Sequence, residues 1–420
     1  MKFSIIKTLI NNKLFRGSTV VFIGMMIANF GNYLYHLIGG RWLGPVGYGE
    51  LESLISLFYW LGIIPAVLSL VIVKFTAQYK GEENQGRLNV LYSYLIKRAS
   101  IGAVIMAVIM ILSAPFFLSL IHLTNSWSYY LVVAVSVLGL VSVVNGSFLQ
   151  GLAAFNQMTG LRLVEAGLRP VLIVIFLFWG WGVFGAVFTV FLSSLISLLL
   201  GFWMVNKITA FKNGEKGIVG RRGLFFFAIP VFIYSLSFTL LYTTDVILAR
   251  YFLTAREAGL YAALATLGKI IIFTTTPILS VMFPLVAQKK AKEESYKKLF
   301  ILSLGMVMVL AITILGIYYF FPYWIIYLLY GKEYLTASSH LFIMGIFLFL
   351  YSLANVFANF YLSINKTKIM IIGLLAAISQ AILLYLFHDG ITQMIIVNIG
   401  VTGCLLMAFL IYFLYDFRKK

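Results

Sequence analysis

Long apolar segments separated by short polar connections run through the whole chain of 420 residues. Each segment has about 20 residues, the length that an α-helix needs to cross a bilayer. Their continuous apolar character differs from the alternating pattern of a transmembrane β-strand. The pattern therefore predicts an all-α polytopic membrane protein with about twelve transmembrane helices. The predicted spans are 17–38, 49–73, 99–121, 128–150, 160–180, 182–205, 224–249, 258–287, 299–325, 337–362, 368–387 and 391–415.

The composition excludes a soluble protein and gives no sign of a cofactor. Hydrophobic residues make up 62% of the chain and charged residues only 10%, whereas a soluble domain has about 25% charged residues. Cys404 is the single cysteine, and the four histidines lack the spacing of metal ligands. There is no Walker-type phosphate loop. We therefore expect no metal, no cofactor and no enzymatic activity.

The net charge of +18 is distributed unevenly between the two sets of alternate loops. One set holds nearly all of the 31 lysine and arginine residues. The other set holds Arg41, Arg250, Arg256 and Lys332. The positive-inside rule then predicts a cell-membrane protein with both termini and all basic loops in the cytoplasm. The excess of basic residues indicates the membrane topology and contact with membrane lipids, and it does not indicate binding of nucleic acid.

The two halves of the chain repeat one pattern. Ala77–Lys80 corresponds to Ala287–Lys290, an offset of 210 residues (287 − 77). Other pairs at about this offset are Arg41 with Arg250, Gly49 with Gly259 and Glu83 with Glu293. Six spans in each half predict two parallel six-helix bundles around a central cavity, an arrangement typical of transporters. The predicted divisions are an N-terminal half (1–206), a cytoplasmic linker (207–222) and a C-terminal half (223–420).

Ionisable residues inside the predicted spans are the candidates for a functional site. A charge at the bilayer centre costs about 2.5–3.5 kcal/mol on insertion scales, so it needs a cavity or a partner. Lys269 lies well inside the eighth span. It is interpreted as a cation that faces an anionic headgroup in the central cavity or as the partner of Asp245 in a structural ion pair, and the two interpretations are compatible. Asp245 is alternatively a site for a coupling proton or sodium ion.

The other candidates lie nearer to the ends of spans. Arg41 and Arg250 fall at the outer ends of the first and seventh spans. They are interpreted as an outer gate, as contacts to a substrate phosphate, or as interfacial side chains that snorkel. Glu52 is expected to face the outer vestibule. Glu165 and Arg169 are four residues apart on the fifth span, which favours an internal salt bridge over a substrate role.

Short motifs resemble those of a known transporter family. Residues 41–51 follow the pattern R-x-L-G-P-x-x-Y-G-x-L. Residues 245–252 and 257–263 follow D-x-x-L-x-x-x-F and E-A-G-x-Y-x-A. In this order and topology, the chain resembles the polysaccharide transporters of the multidrug/oligosaccharidyl-lipid/polysaccharide exporter (MOP) superfamily over nearly its whole length.

The resemblance implies a flippase that moves a lipid-linked oligosaccharide, of the polyprenyl diphosphate type, by alternating access. A glycan polymerase is then a candidate partner. The family has cationic residues in a central cavity, which Lys269 matches, and an acidic position in the seventh span, which Asp245 matches.

Two other functions stay open. A cation-coupled multidrug exporter of the same superfamily predicts a cavity rich in carboxylates, to which Glu52, Glu165 and Asp245 would contribute. A membrane-embedded glycosyltransferase or ligase predicts a pair of carboxylates on a large external loop, and the sequence has no such loop.

Overall fold

The computed structural model describes residues 13–82, 85–209, 221–291 and 293–418. All regular secondary structure in these residues is helical, which confirms the all-α fold class. The predicted linker, 207–222, lies mostly outside the described residues.

The helices fall into two series that follow the two halves of the sequence. The first series is α1 (Lys13–Leu61), α2 (Ile63–Gly81), α3 (Gln85–Leu112), α4 (Ala114–Ile121), α5 (Trp127–Gly151), α6 (Phe155–Phe178) and α7 (Gly182–Thr209). The second series is α8 (Arg221–Leu241), α9 (Thr244–Phe252), α10 (Ala255–Ala291), α11 (Lys297–Phe320), α12 (Pro322–Leu329), α13 (Leu341–Ser363), α14 (Met370–Leu386) and α15 (Ile391–Arg418). Two short 3₁₀ helices, Lys332–His340 and Thr367–Ile369, flank α13.

The predicted transmembrane spans coincide with these helices. Ten stretches of the described chain are long and apolar enough to cross a membrane. The first, Ile23–Lys80, has 58 residues, about 87 Å of helix at 1.5 Å per residue, which is enough for two crossings. Phe155–Phe178 also has the length of a span, but it carries three charged residues, Arg162, Glu165 and Arg169. The multi-pass membrane architecture is therefore confirmed.

A kink at Gly44 separates the two parts of α1. Gly44 has φ 66° and ψ 177°, a left-handed backbone conformation that glycine adopts without a Cβ clash. Pro45 follows it and starts the next helical part, where its missing N–H costs nothing. The glycine and proline of the first motif are therefore explained by the bend between the first two spans.

Helix α10 begins at a capping box. The side chain of Glu257 accepts a hydrogen bond from the backbone N–H of Thr254 at 3.2 Å, and the Glu257 N–H donates to the Thr254 hydroxyl at 3.3 Å. These two bonds satisfy N–H groups that a helix start leaves without partners. The glutamate of the second motif thus fixes where the long helix carrying Lys269 begins.

The described residues form two compact units. The first contains the described residues of Met1–Ile38, Leu61–Leu118 and Thr124–Ala228, and α5 packs there against α2, α3 and α7. The second contains Gly39–Trp60, Ser119–Leu123 and Ile229–Lys420, and α13 packs there against α10, α11 and α15. The division into halves at 206 and 223 stays a prediction.

One lysine in each unit caps the helix at the centre of that unit. Lys80 Nζ donates to the carbonyl of Leu152, just beyond α5, and Lys290 Nζ donates to the carbonyl of Ile364, just beyond α13. A cation at a helix C-terminus stabilises the exposed carbonyl groups. The two lysines occupy equivalent positions of the predicted repeat, so the duplication extends from sequence to contacts.

Candidate functional site

Lys269 is buried in the second unit beside a carboxylate from α1. Its Nζ lies 3.7 Å from Oε2 of Glu52, and the two side chains are 4% and 1% exposed. The Nζ makes no hydrogen bond with the described residues. Two charges out of water are costly unless they are close together and well hydrogen-bonded.

Two tyrosine rings complete the surroundings of the ammonium group. Nζ lies 5.7 Å from the ring centroid of Tyr59 and 5.8 Å from that of Tyr242. Cations within about 6 Å of an aromatic face are attracted to the ring. Next to Tyr59, the Trp60 indole N–H donates to the hydroxyl of Thr243 at 2.9 Å. The site combines one cation and one carboxylate with two aromatic rings.

Asp245 forms a separate buried network. Its Oδ2 accepts hydrogen bonds from the Tyr261 hydroxyl at 2.7 Å and from the Asn398 side chain at 3.3 Å. Gln380 donates to Asn398 Oδ1 at 2.7 Å. The predicted ion pair between Asp245 and Lys269 is not present, because these neutral donors from α10 and α15 hold the carboxylate while Lys269 lies beside Glu52. Neither Asn398 nor Gln380 was predicted, since one amide within an apolar helix carries no local signal.

Arg41 and Arg250 each cap the end of a short helix. Arg250 Nε donates to the carbonyl of Ile121 at 2.9 Å, and its Nη2 donates to that of His122 at 2.9 Å, at the end of α4. Arg41 Nε donates to the carbonyl of Leu329 at 2.9 Å, and its Nη2 bonds to Leu328, at the end of α12. The contact of these arginines with a substrate phosphate stays a prediction.

The remaining residues of the first motif pack on the start of α10. A Cβ added to Gly259 would lie 1.7 Å from the carbonyl oxygen of Pro45, and one added to Gly49 would lie 2.8 Å from the backbone nitrogen of Gly259. Tyr48 donates its hydroxyl hydrogen to Thr266 at 3.1 Å. Only glycine permits so close an approach, which explains the glycine of each motif.

Glu165 and Arg169 lie in the first unit. Arg169 Nη2 donates to Glu165 Oε1 at 2.6 Å, and its Nη1 donates to Asn32 Oδ1 at 2.8 Å. The hydroxyl of Ser194 also donates to Glu165 at 3.2 Å. The salt bridge between residues four apart is present as predicted. Glu165 and Arg169, with Asn32 and Arg162, line a polar cavity of about 210 Å³.

The described residues contain no cluster of acidic, histidine or cysteine side chains able to hold a metal ion. The buried polar groups around Lys269 and Asp245 include an ammonium group, carboxylates, amides and hydroxyls.

Comparison with known protein families shows the family to which this chain belongs. The model of the polysaccharide biosynthesis protein family matches residues 14–290. The chain belongs to this family. The match includes both motifs, the bend at Gly44, the two capping arginines and the Lys269–Glu52 pair. A search of curated proteins finds no significant match.

Solved structures show which fold this member of the polysaccharide biosynthesis protein family adopts. The structure is similar to an inward-facing multidrug resistance MATE-family transporter of the MOP superfamily, with a TM-score of 0.76, 14% identity and coverage of 92% of this chain and 94% of that one. An outward-facing transporter of the same family gives a TM-score of 0.70 at 16% identity over 96% of both chains. A MOP-superfamily transporter from Pyrococcus furiosus, described as having a binding pocket of reverse polarity, gives 0.66 at 18% identity over 94% of this chain and 95% of that one. The fold is that of MOP-superfamily transporters.

Proposed function

We propose that the protein is a flippase that moves a lipid-linked oligosaccharide, of the polyprenyl diphosphate type, across the cytoplasmic membrane. Two findings support this proposal: membership of the polysaccharide biosynthesis family and the transporter fold. The observation that supports this choice of substrate is the position of Lys269, a buried cation with aromatic neighbours.

A diphosphate is a better partner for Lys269 than Glu52 is. Phosphate oxygens form short, charge-assisted hydrogen bonds with an ammonium group, whereas the Glu52 carboxylate stands 3.7 Å away. The headgroup would therefore displace Glu52 and take its place beside Lys269. The rings of Tyr59 and Tyr242 would then offer apolar faces to the first sugar, while the polyprenyl chain stays in the lipid.

Asp245 is the proposed site of coupling to an ion gradient or to the membrane potential. The carboxylate is 1% exposed and is held by the neutral donors of Tyr261 and Asn398. A proton or a sodium ion that binds there would cancel the buried charge. Such a change favours one conformation over another in proportion to its differential binding. No phosphate loop for ATP is present in the sequence.

The topology of the proposal follows from the loop charges. Both termini lie in the cytoplasm, and Arg41 and Arg250 lie on the outer side. The two sequence halves, 1–206 and 223–420, would alternate between access to the two sides, joined by the linker 207–222. A glycan polymerase that acts on the exported unit is the expected partner.

The test is transport of a defined lipid-linked oligosaccharide by reconstituted protein with substitutions at Lys269. Lys269→Arg keeps the cation and is expected to retain most of the transport, whereas Lys269→Ala is expected to lower the rate at least tenfold. Lys298→Ala, at an exposed lysine, is the matched control and should transport as the wild type does. Transport at the wild-type rate by both the Arg and the Ala variants would contradict the proposed role of Lys269 in substrate binding.

A cation-coupled multidrug exporter is the second candidate, and the buried Asp245 network favours it. That function predicts a rise in drug resistance in cells that express the protein, abolished by Asp245→Asn. Flippase activity predicts no such resistance. Assays of drug resistance and of lipid-linked oligosaccharide transport by the same protein therefore distinguish the two functions.

A further inference from the structure

We propose that side chains of α8 and α13, within the second unit, form a sugar-binding track that continues from Lys269. The track consists of six side chains: Tyr234, Phe238, Tyr242, Tyr351, Asn355 and Asn359. All six belong to the second unit. The inference rests on the proposed function for the identity of the ligand, and it deepens that function by assigning where the sugars attached to the diphosphate bind.

The aromatic side chains of the track form a continuous row. The ring centroids of Tyr234 and Phe238 lie 5.1 Å apart, and those of Phe238 and Tyr351 lie 5.6 Å apart. Tyr351 lies 5.7 Å from Tyr242, whose ring centroid is 5.8 Å from Nζ of Lys269. Since the positions 234, 238 and 242 are four residues apart, they follow one side of α8 and the residue after it over about 12 Å. The row therefore leads away from the cation over a distance suited to a short oligosaccharide.

Two asparagines of α13 add hydrogen-bonding groups at the far end of the row. The Tyr234 hydroxyl donates to Asn355 Oδ1 at 2.6 Å. Asn359 Nδ2 donates to the same Oδ1 at 3.0 Å and to the Tyr234 hydroxyl at 2.7 Å. These bonds orient both amides, and they leave Asn355 Nδ2 and Asn359 Oδ1 without a hydrogen bond to the described residues. One donor and one acceptor are thus available together, as a sugar hydroxyl or acetamido group requires.

A tyrosine–asparagine pair in the first unit shows what a purely structural contact looks like. The Tyr92 hydroxyl donates to Asn145 Oδ1 at 2.7 Å, and Asn145 Nδ2 donates to the carbonyl of Leu198 at 3.5 Å. Asn145 is fully buried, and both of its amide atoms bond within the protein. Polar groups that only join helices are satisfied in this way. Asn359 differs because it is half-buried and keeps a free acceptor, which favours contact with a ligand.

The composition of the track favours neutral sugars. None of its six side chains carries a charge at neutral pH. Aromatic faces have negative potential and attract the C–H faces of pyranose rings. A few oriented polar groups among aromatic side chains are typical of binding sites that fix the orientation of a ligand. With the diphosphate at Lys269, the first sugar would lie against Tyr242, and the following sugars would extend towards Tyr234 and the two asparagines.

Binding of two lipids measures the track separately from the diphosphate site. One lipid is a polyprenyl diphosphate without sugar, and the other is a polyprenyl diphosphate that carries a neutral oligosaccharide. The wild-type protein is expected to bind the second lipid at least ten times more tightly. Asn355→Leu and Asn359→Leu should each weaken binding of the sugar-bearing lipid about tenfold, equivalent to about 1.4 kcal/mol, without weakening binding of the sugar-free lipid. Lys269→Ala should weaken binding of both lipids by a similar factor.

The controls separate sugar binding from a structural role. Tyr234→Phe and Tyr92→Phe are matched, since each keeps the ring and removes a hydroxyl that donates to an asparagine. Tyr234→Phe should weaken binding of the sugar-bearing lipid alone, whereas Tyr92→Phe should change the binding of neither lipid. Where a leucine variant fails to fold, Asn359→Ser at the half-buried position and Tyr234→Phe provide the same test.

Three outcomes would overturn the track: equal wild-type affinity for the two lipids, wild-type affinity of the asparagine variants for the sugar-bearing lipid, or an equal loss for both lipids in these variants. Failure of the wild-type protein to bind either lipid would instead reject the proposed function. The free oligosaccharide, released from its lipid by mild acid, then decides the track. Binding of this oligosaccharide that Asn359→Leu abolishes would support the track, and binding that is absent or unchanged in the variant would overturn it.

Discussion

The Lys269–Glu52 pair provides a direct test of how this protein holds a charge inside the membrane. At 3.7 Å and an effective dielectric constant of about 20, the attraction between the two charges is about 4.5 kcal/mol. Both side chains are almost fully removed from solvent, so the loss of either leaves the other charge buried alone. Such a loss typically costs about 3–5 kcal/mol.

A double-mutant cycle measures this coupling. Lys269→Met and Glu52→Gln are each expected to lower the free energy of unfolding in detergent micelles by about 3–5 kcal/mol. The double variant has no unpaired buried charge, so its free energy of unfolding should fall by clearly less than the sum of the two single losses. The difference, which is the coupling energy, should be at least about 2 kcal/mol. The free energy is measured by denaturant titration with helicity as the signal.

An exposed ion pair of the same chain serves as the control. Lys289 and Glu294 lie 3.3 Å apart, with side chains 42% and 52% exposed. Since water screens exposed pairs, the same cycle there should give no more than about 1 kcal/mol. Equal coupling at the two pairs, or additive losses for Lys269 and Glu52, would refute the reasoning that burial makes this pair costly to break.

Three other substitutions have expected outcomes that stability measurements check. Gly259→Ala should destabilise the fold by several kcal/mol because its Cβ meets a carbonyl oxygen at 1.7 Å, whereas Gly316→Ala, with open space around it, should be neutral or slightly stabilising. Asn398→Leu should cost about 1–3 kcal/mol and slow transport, because Asp245 loses a donor. Arg169→Ala should lower the free energy of unfolding, by less than the about 3–5 kcal/mol typical of a fully buried pair, because a partly buried carboxylate loses its partner. An unchanged unfolding midpoint would contradict this expectation.

Much of the fold was predictable because the bilayer imposes a simple rule on sequence. The predicted spans fall on helices, and some of them cover two consecutive helices, as 224–249 covers α8 and α9. This agreement is expected because backbone groups in lipid must bond within their own segment. The Glu165–Arg169 salt bridge was predictable for a related reason: the helical repeat brings residues four apart together. Both arguments need only local sequence.

The candidate site was only partly predictable because it depends on contacts between distant helices. The burial of Lys269 follows from its apolar neighbours, but its pairing with Glu52 depends on how α1 packs on α10. The helix-capping role of Arg41 and Arg250 was not predicted, since their acceptors are backbone carbonyl groups, which every residue carries.

The most direct test of the central claim is the transbilayer movement of a polyprenyl diphosphate oligosaccharide in proteoliposomes under a membrane potential. The account predicts that the wild-type protein moves this lipid at least ten times faster than protein-free vesicles do, and that Lys269→Ala loses most of this rate. Movement at the protein-free rate in vesicles that contain folded wild-type protein would contradict the account.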